Sequence, residues 1–324
     1  MSSRSLRAAA SVFLTTEPFD FTGANISMLA PFLLMPLTRS SPCKVNLLLN
    51  ILGRRADGFH ELETVMQPVP LHDELEFKRA DAGVRLSCND LALPVDSANL
   101  VHRAASAFLQ AAKIGEGVSI HLEKRIPLAA GLGGGSGNAA NTLLGLNELF
   151  HQPLAEAQLN EIAASLGSDV PFFLQNKPAL ATGRGDKIMP LDFLPALRGV
   201  FILLIHPGFG IPTAWAYQSL AKYPDALNGR PGRAEKLIEL LRAADLTPAA
   251  AEFYNSLEAP ALNKYPLLCL FKEFLRNNGA VVALMSGSGS TTFALVKGKN
   301  TTEELREKFK AKFGRNCWTA IMAL

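Results

Sequence analysis

"IPLAAGLGGGSGNAANTLLGLNELF" occupies residues 126–150 and sets five glycines into the seven positions Gly131 to Gly137 before an alanine- and leucine-rich segment. Glycine at that density costs conformational entropy on folding, so a chain that keeps it ahead of a helix needs something to approach the main chain closely. A phosphate is the obvious candidate. The preceding "GVSIHLEKRIP" alternates as a strand that ends at Pro127, and apolar residues at 139, 143, 146 and 150 mark one buried face of a helix over 138–150. The glycines therefore lie between a strand and a helix N-terminus, where unpaired amides and the positive end of the helix dipole favour an anion. No lysine follows in the G-x-x-x-x-G-K-[ST] pattern, which excludes a P-loop, and no register reads G-x-G-x-x-G. A flexible linker or helix-packing turn is the alternative reading of the run.

Outward from this loop, 324 residues exceed one typical domain, and two are expected. A hydrophobic share of 48% and a charged share of 19% place the chain among ordinary globular proteins. With 32 basic and 29 acidic residues, no field favours nucleic acid or an anionic membrane, so the expected partner is a small molecule. Cys43, Cys88, Cys269 and Cys317 form no C-x-x-C pair and fit neither a zinc site nor a disulfide framework, consistent with a reducing cytoplasm. The longest apolar run, "MLAPFLLMPL" at 28–37, is too short to span a membrane and is broken by Pro31 and Pro36. Residues 1–34 carry Arg4, Arg7 and several serines with no acid before Glu17, a composition shared with transit or secretory leaders. The favoured expectation is a disordered extension or an upstream start codon, because the structured pattern begins after Met35; plastid-like targeting is the alternative.

"CKVNLLLNIL" and "ELETVMQPV" read as two strands joined by the turn "RRADGF", with Asp57-Gly58 as its signal. "DELEFKRA" and "VRLSCND" add short alternating segments, and a helix over 99–112 begins at Asn99. A second helix runs from Leu154 to Leu166 and stops at Gly167, just before "SDVPFFL". Residues 185–199 look like a connection, and "VFILLIHPG" like a buried strand opening a second domain, which sets the boundary near 195. Beyond it come helices in "RAEKLIELLRAA" and "LLCLFKEFLRNNG", then the strands "AVVALM" and "TTFALV" around "SGSGS", a tight hairpin or a second anion-contacting turn. There is no internal repeat.

"SPCKVNLLLNILGRRADGFHELETV", "PLAAGLGGGSGNAA", "LGSDVPFF" and "LMSGSGSTTFAL", in this order and spacing, resemble the GHMP family of small-molecule kinases, and the resemblance covers nearly everything from Met35 onward. It implies an α+β fold of two domains. The first, 35–195, would be like the second domain of ribosomal protein S5 and bind ATP; the second, 196–324, would be ferredoxin-like; the substrate would lie between them. Carried over residue by residue, the ATP phosphates would be wrapped by Pro127, Leu128, Ala129, Ala130, Gly131, Leu132, Gly133, Gly134, Gly135, Ser136 and Gly137. Asp169 would be the catalytic base, and Lys44 would pair with it and with the transferring phosphoryl group. The chemistry agrees: an attacking hydroxyl must lose a proton, while charge on the phosphoryl oxygens must be held by cations and amides. Taken alone, Asp169 also reads as a helix N-cap and Lys44 as a solvated lysine at a strand edge. Asn46 lies two residues on, on the same strand face as Lys44. Magnesium is implied by the ATP chemistry, held mostly by phosphate oxygens, with its protein ligands unassigned.

Two positions depart from the family pattern. Gly137 stands where a second serine is usual, so a hydroxyl for metal or phosphate is missing and Ser136 is the substitute. In the last loop Ser288 stands where a threonine is frequent, which keeps a hydroxyl. Within the family, "RADGFHELETV" and "HPGFGIPTAWAY" resemble the branch that phosphorylates an alcohol carrying cytidine diphosphate. The resemblance then places the cytosine between Phe59 and Tyr217, near His60, with Thr213 lining the pocket. Each of these has a plainer reading as a core, surface or turn residue, and "HELE" is not the H-E-x-x-H of a zinc hydrolase. The expectation is an ATP-dependent kinase of the cytoplasm, monomer or homodimer, with a small-molecule substrate. Its rivals are a GHMP kinase for mevalonate, homoserine or a sugar, and a non-catalytic nucleotide- or RNA-binding module.

Overall fold

One hairpin organises the first half of the chain. In the computed structural model, which describes residues 36–324, β1 (Leu37–Arg54) turns at Asp57-Gly58 into β2 (His60–Ala80), so "DELEFKRA" continues β2 instead of forming its own segment. β1 and β2 pair antiparallel throughout, and three register shifts bend the ribbon. The other edge of β2 is shared: β4 (Gly117–Glu123) takes residues 74–80 and β5 (Ala179–Gly183) takes residues 62–66. β3 (Val84–Cys88) lies parallel to β4, and β6 (Lys187–Pro190) closes a hairpin with β5. The expected connection at 185–199 therefore begins with a strand, whose four residues are too few to show a period. The extension expected at 1–34, with its leader-like composition, lies outside the described residues.

Four helices cover this sheet: α1 (Leu100–Ala111), α2 (Gly134–Leu149), α3 (Glu156–Leu166) and α4 (Val170–Gln175). Asn99 caps α1 by accepting the Val101 amide at 2.9 Å, as its position at the head of the apolar pattern predicts. α2 is buried on more than the expected face, because Gly137, Asn138, Asn141, Thr142 and Gly145 are buried beside its alanines and leucines, and it ends before Phe150. Small residues let it press close to the sheet. A β-carbon on Gly145 would stand 2.6 Å from Phe77 Cε2, and Phe77 is fully buried.

The second sheet is antiparallel, in the order β11-β7-β10-β9, with β7 (Val200–His206), β9 (Val282–Met285), β10 (Thr292–Lys297) and β11 (Trp318–Ala323). Numbered along the chain, the strand order is 4-1-3-2, the ferredoxin-like order. Between β7 and β9 run α5 (Thr213–Ser219), α6 (Pro224–Leu227), α7 (Arg233–Leu241), β8 (Tyr254–Asn255), α8 (Glu258–Lys264) and α9 (Pro266–Asn277), and α10 (Lys299–Phe313) links β10 to β11. β8 leaves this region to lie parallel to β1, with Leu48 opposite Tyr254 and Leu49 opposite Asn255. Residues 36–324 form one compact unit, whose central cluster mixes Val45, Leu47 and Val65 of the first sheet with Ile202, Leu204, Phe293 and Leu295 of the second.

The Gly145 contact leaves no room for a side chain. Gly145→Val is expected to cost about 1–3 kcal/mol, the range for overpacking a filled core, read as a lower denaturation midpoint at unchanged m value.

Candidate active site

The glycine loop is held by three hydrogen bonds to its carbonyls, two from backbone amides and one from a side chain. The Lys44 amide donates to Leu132 O at 2.9 Å, the Thr291 amide donates to Ala130 O at 3.2 Å, and the Ser286 hydroxyl donates to Gly131 O at 2.9 Å. Gly131 has φ +75°, and a β-carbon on it would stand 2.1 Å from Ser286 O, so only glycine fits between these two loops. Ala129 adopts φ +51°, a left-handed conformation that costs a non-glycine residue about 1–2 kcal/mol. Gly133, at φ +70°, is the N-cap of α2 and offers no side-chain cap. The Gly137 amide is the first to close a helical bond, to Gly133 O at 2.8 Å, so the amides of Gly134, Gly135 and Ser136 lie in the uncapped first turn. That is the arrangement an anion needs.

Gly137 does not line the cleft. It is buried behind the loop, where a β-carbon would lie 2.7 Å from Pro42 O and 3.2 Å from Ser41 Oγ. The missing hydroxyl at 137 thus has a steric cause, while Ser136 faces the cleft.

Two buried lysines flank this helix end. Lys44, only 3% exposed in the middle of β1, has its Nζ 2.6 Å from Asn46 Oδ1 and 3.3 Å from Asp169 Oδ2. Asn46 in turn donates to Thr64 Oγ1 at 2.8 Å, which fixes its amide and aims its oxygen at the lysine. Asp169 occupies the N-cap position of α4 but makes no capping hydrogen bond. Its carboxylate, 40% exposed, faces Lys44 and the cleft instead. The second lysine, Lys124, escaped the sequence reading. Its Nζ pairs with the fully buried Asp73 and approaches Asn138 Oδ1 at 3.2 Å, and it stands 3.3 Å from where a β-carbon on Gly134 would be. Asp73 also accepts the amides of Arg125 and Ile126 at 2.8 and 2.9 Å. The available signal was "EKR" just ahead of Pro127, with Asp73 too distant in sequence to be linked to it.

Lys44, Asn46, Thr64, Lys124, Asp169 and the loop from Pro127 to Ser136 line one cleft of about 1320 Å³ between the two sheets. Phe59, His60, Thr213 and Tyr217 line the same cleft. The His60 and Tyr217 rings lie 5.2 Å apart, tilted by 43°. Thr213 Oγ1 is 2.9 Å from Ser288 Oγ, so the "SGSGS" loop touches both Thr213 and the glycine loop, and it joins β9 to β10 as the expected hairpin. Burial, with Arg54 adding repulsion, lowers the His60 pKa from its ordinary value, which keeps the ring neutral at pH 7 and able to share hydrogen bonds. Burial, assisted by the Asp169 charge, raises the Tyr217 phenol, so it stays protonated. Among the described residues no group of three or more His, Cys, Asp or Glu side chains converges on a metal-sized site. No helix among them is long and apolar enough to cross a membrane.

Comparison with known proteins places this geometry. The profile of the GHMP kinases N terminal domain matches residues 99–177, and that of the GHMP kinases C terminal domain matches residues 225–315. A 4-diphosphocytidyl-2-C-methyl-D-erythritol kinase of Syntrophotalea carbinolica is 39% identical over 286 residues, covering 87% of this chain and 96% of that one. One of Syntrophus aciditrophicus is 42% identical over 266 residues, covering 82% and 91%. A crystal structure of 4-(cytidine 5'-diphospho)-2C-methyl-D-erythritol kinase superposes with a TM-score of 0.74 at 36% identity, covering 89% of this chain and 99% of that one. A homoserine kinase from Cytophaga hutchinsonii, at 21% identity and a TM-score of 0.67, shares the fold.

Removing one partner of the buried pair behind the loop leaves an uncompensated charge. Asp73→Asn is expected to lower unfolding free energy by about 3–5 kcal/mol in urea titrations, with part recovered when Lys124→Met is added.

Proposed function

The chain belongs to the GHMP kinase family, and from that premise we propose that it is the ATP-dependent kinase that phosphorylates the 2-hydroxyl of 4-diphosphocytidyl-2-C-methyl-D-erythritol in the non-mevalonate isoprenoid pathway. The observation that carries the chemistry is the Lys44–Asp169 pair, 3.3 Å apart at the mouth of the uncapped α2 N-terminus. The attacking hydroxyl gives its proton to the Asp169 carboxylate as its oxygen bonds to the γ-phosphorus, and the bond to the ADP oxygen breaks. Lys44 holds Asp169 on one side and the moving phosphoryl oxygens on the other. The amides of the loop from Leu128 to Ser136, which Pro127 leads into, with Lys124 beside them, hold the remaining phosphate charge. Gly137 contributes by its lack of a side chain, which lets α2 close on β1. Magnesium, when bound, would neutralise phosphate oxygens; the Ser136 hydroxyl, which faces the cleft beside the loop, would help hold it, and so few protein donors suit an ion that keeps its waters and its phosphate ligands.

At the other end, the cytosine stacks between Phe59 and Tyr217, with neutral His60 hydrogen-bonding its edge and Asn46 and Thr213 lining the path of the diphosphate-linked alcohol. This aromatic end supports the cytidine substrate over homoserine or mevalonate, which offer no ring to stack. We assign 35–195 to the nucleotide-binding part and 196–324 to the ferredoxin-like part, and place the protein in the cytoplasm as a monomer or homodimer that binds neither nucleic acid nor membrane.

The reading is tested by incubating the protein with ATP, magnesium and a panel of alcohols and following phosphorus NMR. Phosphorylation of the cytidine diphosphate alcohol is expected; turnover of homoserine or mevalonate in its place would sink the assignment. Asp169→Asn is expected to lower kcat by about 10²- to 10⁴-fold with ATP affinity little changed, as for a lost general base. Tyr217→Ala removes one stacking face, worth about 1–3 kcal/mol, and KM for the cytidine substrate should rise roughly 5- to 150-fold while ATP binding is unaffected.

A further inference from the structure

Strand register brings two turns together at the cytidine end of the cleft. β5 lies on β2 with Gly183 opposite Leu62, so the turn after β5, Arg184 to Asp186, stands beside the turn before β2, Arg55 to Phe59. Gly183 takes φ +71°, and a β-carbon there would lie 2.9 Å from Asp186 Oδ1. Asp186 then ties the turn: Oδ1 accepts the Arg184 amide at 3.0 Å, and Oδ2 lies 3.4 Å from Arg184 Nη2. The guanidinium so held is centred 4.7 Å from the centroid of the Phe59 ring.

Phe59 is 53% exposed. Its amide donates to Asp57 Oδ1 at 3.1 Å and its carbonyl accepts from the Arg55 amide at 2.8 Å, bonds that fix its backbone and leave its ring to be fixed by other contacts. Arg184, Gly185 and Phe59 all line the cleft. A planar cation over one face of an aromatic ring is attracted by the ring quadrupole and leaves the other face free. Resting on the cytidine-kinase reading above, we propose that Arg184 is a positioning residue for substrate recognition: its guanidinium covers the outer face of Phe59 and holds the ring so that the inner face meets the cytosine.

The proposal is tested by steady-state kinetics on Arg184→Met, Phe59→Ala and the double variant, each checked for folding by circular dichroism. Arg184→Met keeps an unbranched stem without the charge. It is expected to raise KM for the cytidine substrate about two- to fivefold, leaving kcat and KM for ATP unchanged; at a factor of ten per 1.4 kcal/mol this is about 0.5–1 kcal/mol, the range for an exposed cation–π contact. The effect should vanish in the Phe59→Ala background. Arg184→Lys, which keeps the charge but not the plane, should recover part of the loss and serves if the methionine variant folds poorly. An unchanged KM in Arg184→Met, with KM raised by Phe59→Ala, would overturn the role of Arg184 and leave the pocket standing. An equal effect in both backgrounds would also overturn it, by showing that the arginine meets the substrate directly. If Phe59→Ala itself left KM unchanged, the cytidine pocket would fail and this proposal with it.

Discussion

The contact between Gly131 and Ser286 is the constraint on which the rest of the site depends. One loop comes from the first sheet and the other from a hairpin of the second, and they meet main chain to main chain at a distance that excludes a β-carbon. Because neither side yields a flexible side chain, the contact behaves as a rigid joint. Asn255 reinforces it from below, donating to Met285 O and Gly287 O at 2.8 Å each while β8 anchors it to β1. The strand that carries Lys44 and Asn46 is thereby locked to the loop that carries Ser288. Pre-organisation of this kind is what electrostatic catalysis requires, since dipoles already in place cost no reorganisation as the reaction proceeds.

Charge around the loop is arranged in two shells. Lys124 is neutralised by a fully buried Asp73, which spends its other lone pairs on the Arg125 and Ile126 amides and on Asn138, so this pair shapes the chain entering the loop. Lys44 is balanced by a half-exposed Asp169 and by a neutral amide oxygen, so its charge is less fully used. The inner pair has every group satisfied, which is the condition under which buried ions are tolerated. The outer pair is left adjustable where a substrate arrives.

Much of this was legible locally. Asp57-Gly58 gave the hairpin, Asn99 the start of a helix, the glycine run a loop leading into a helix N-terminus, and the two-residue spacing of Lys44 and Asn46 their shared face. Family resemblance supplied the base role proposed for Asp169, which its own N-cap position would have disguised. What escaped notice has a common cause. Asp73 and Lys124 are fifty-one residues apart; β8 is two residues long and carries no period; and β6 has four. Such features are set by tertiary pairing, which no window of sequence contains. The departure at Gly137 could be seen in the sequence, but its cause, the Pro42 carbonyl, could not.

The return of β8 to β1 also bears on how the molecule is made. Leu48 leaves the ribosome early, yet its partner Tyr254 follows roughly 200 residues later, so one edge of the first sheet stays open through most of synthesis. Until the chain reaches Asn255, β1 exposes hydrogen-bonding groups that any neighbouring strand can take. The nascent chain is accordingly most in need of protection over the interval in which its glycine loop is already synthesised and the strand that covers β1 is not.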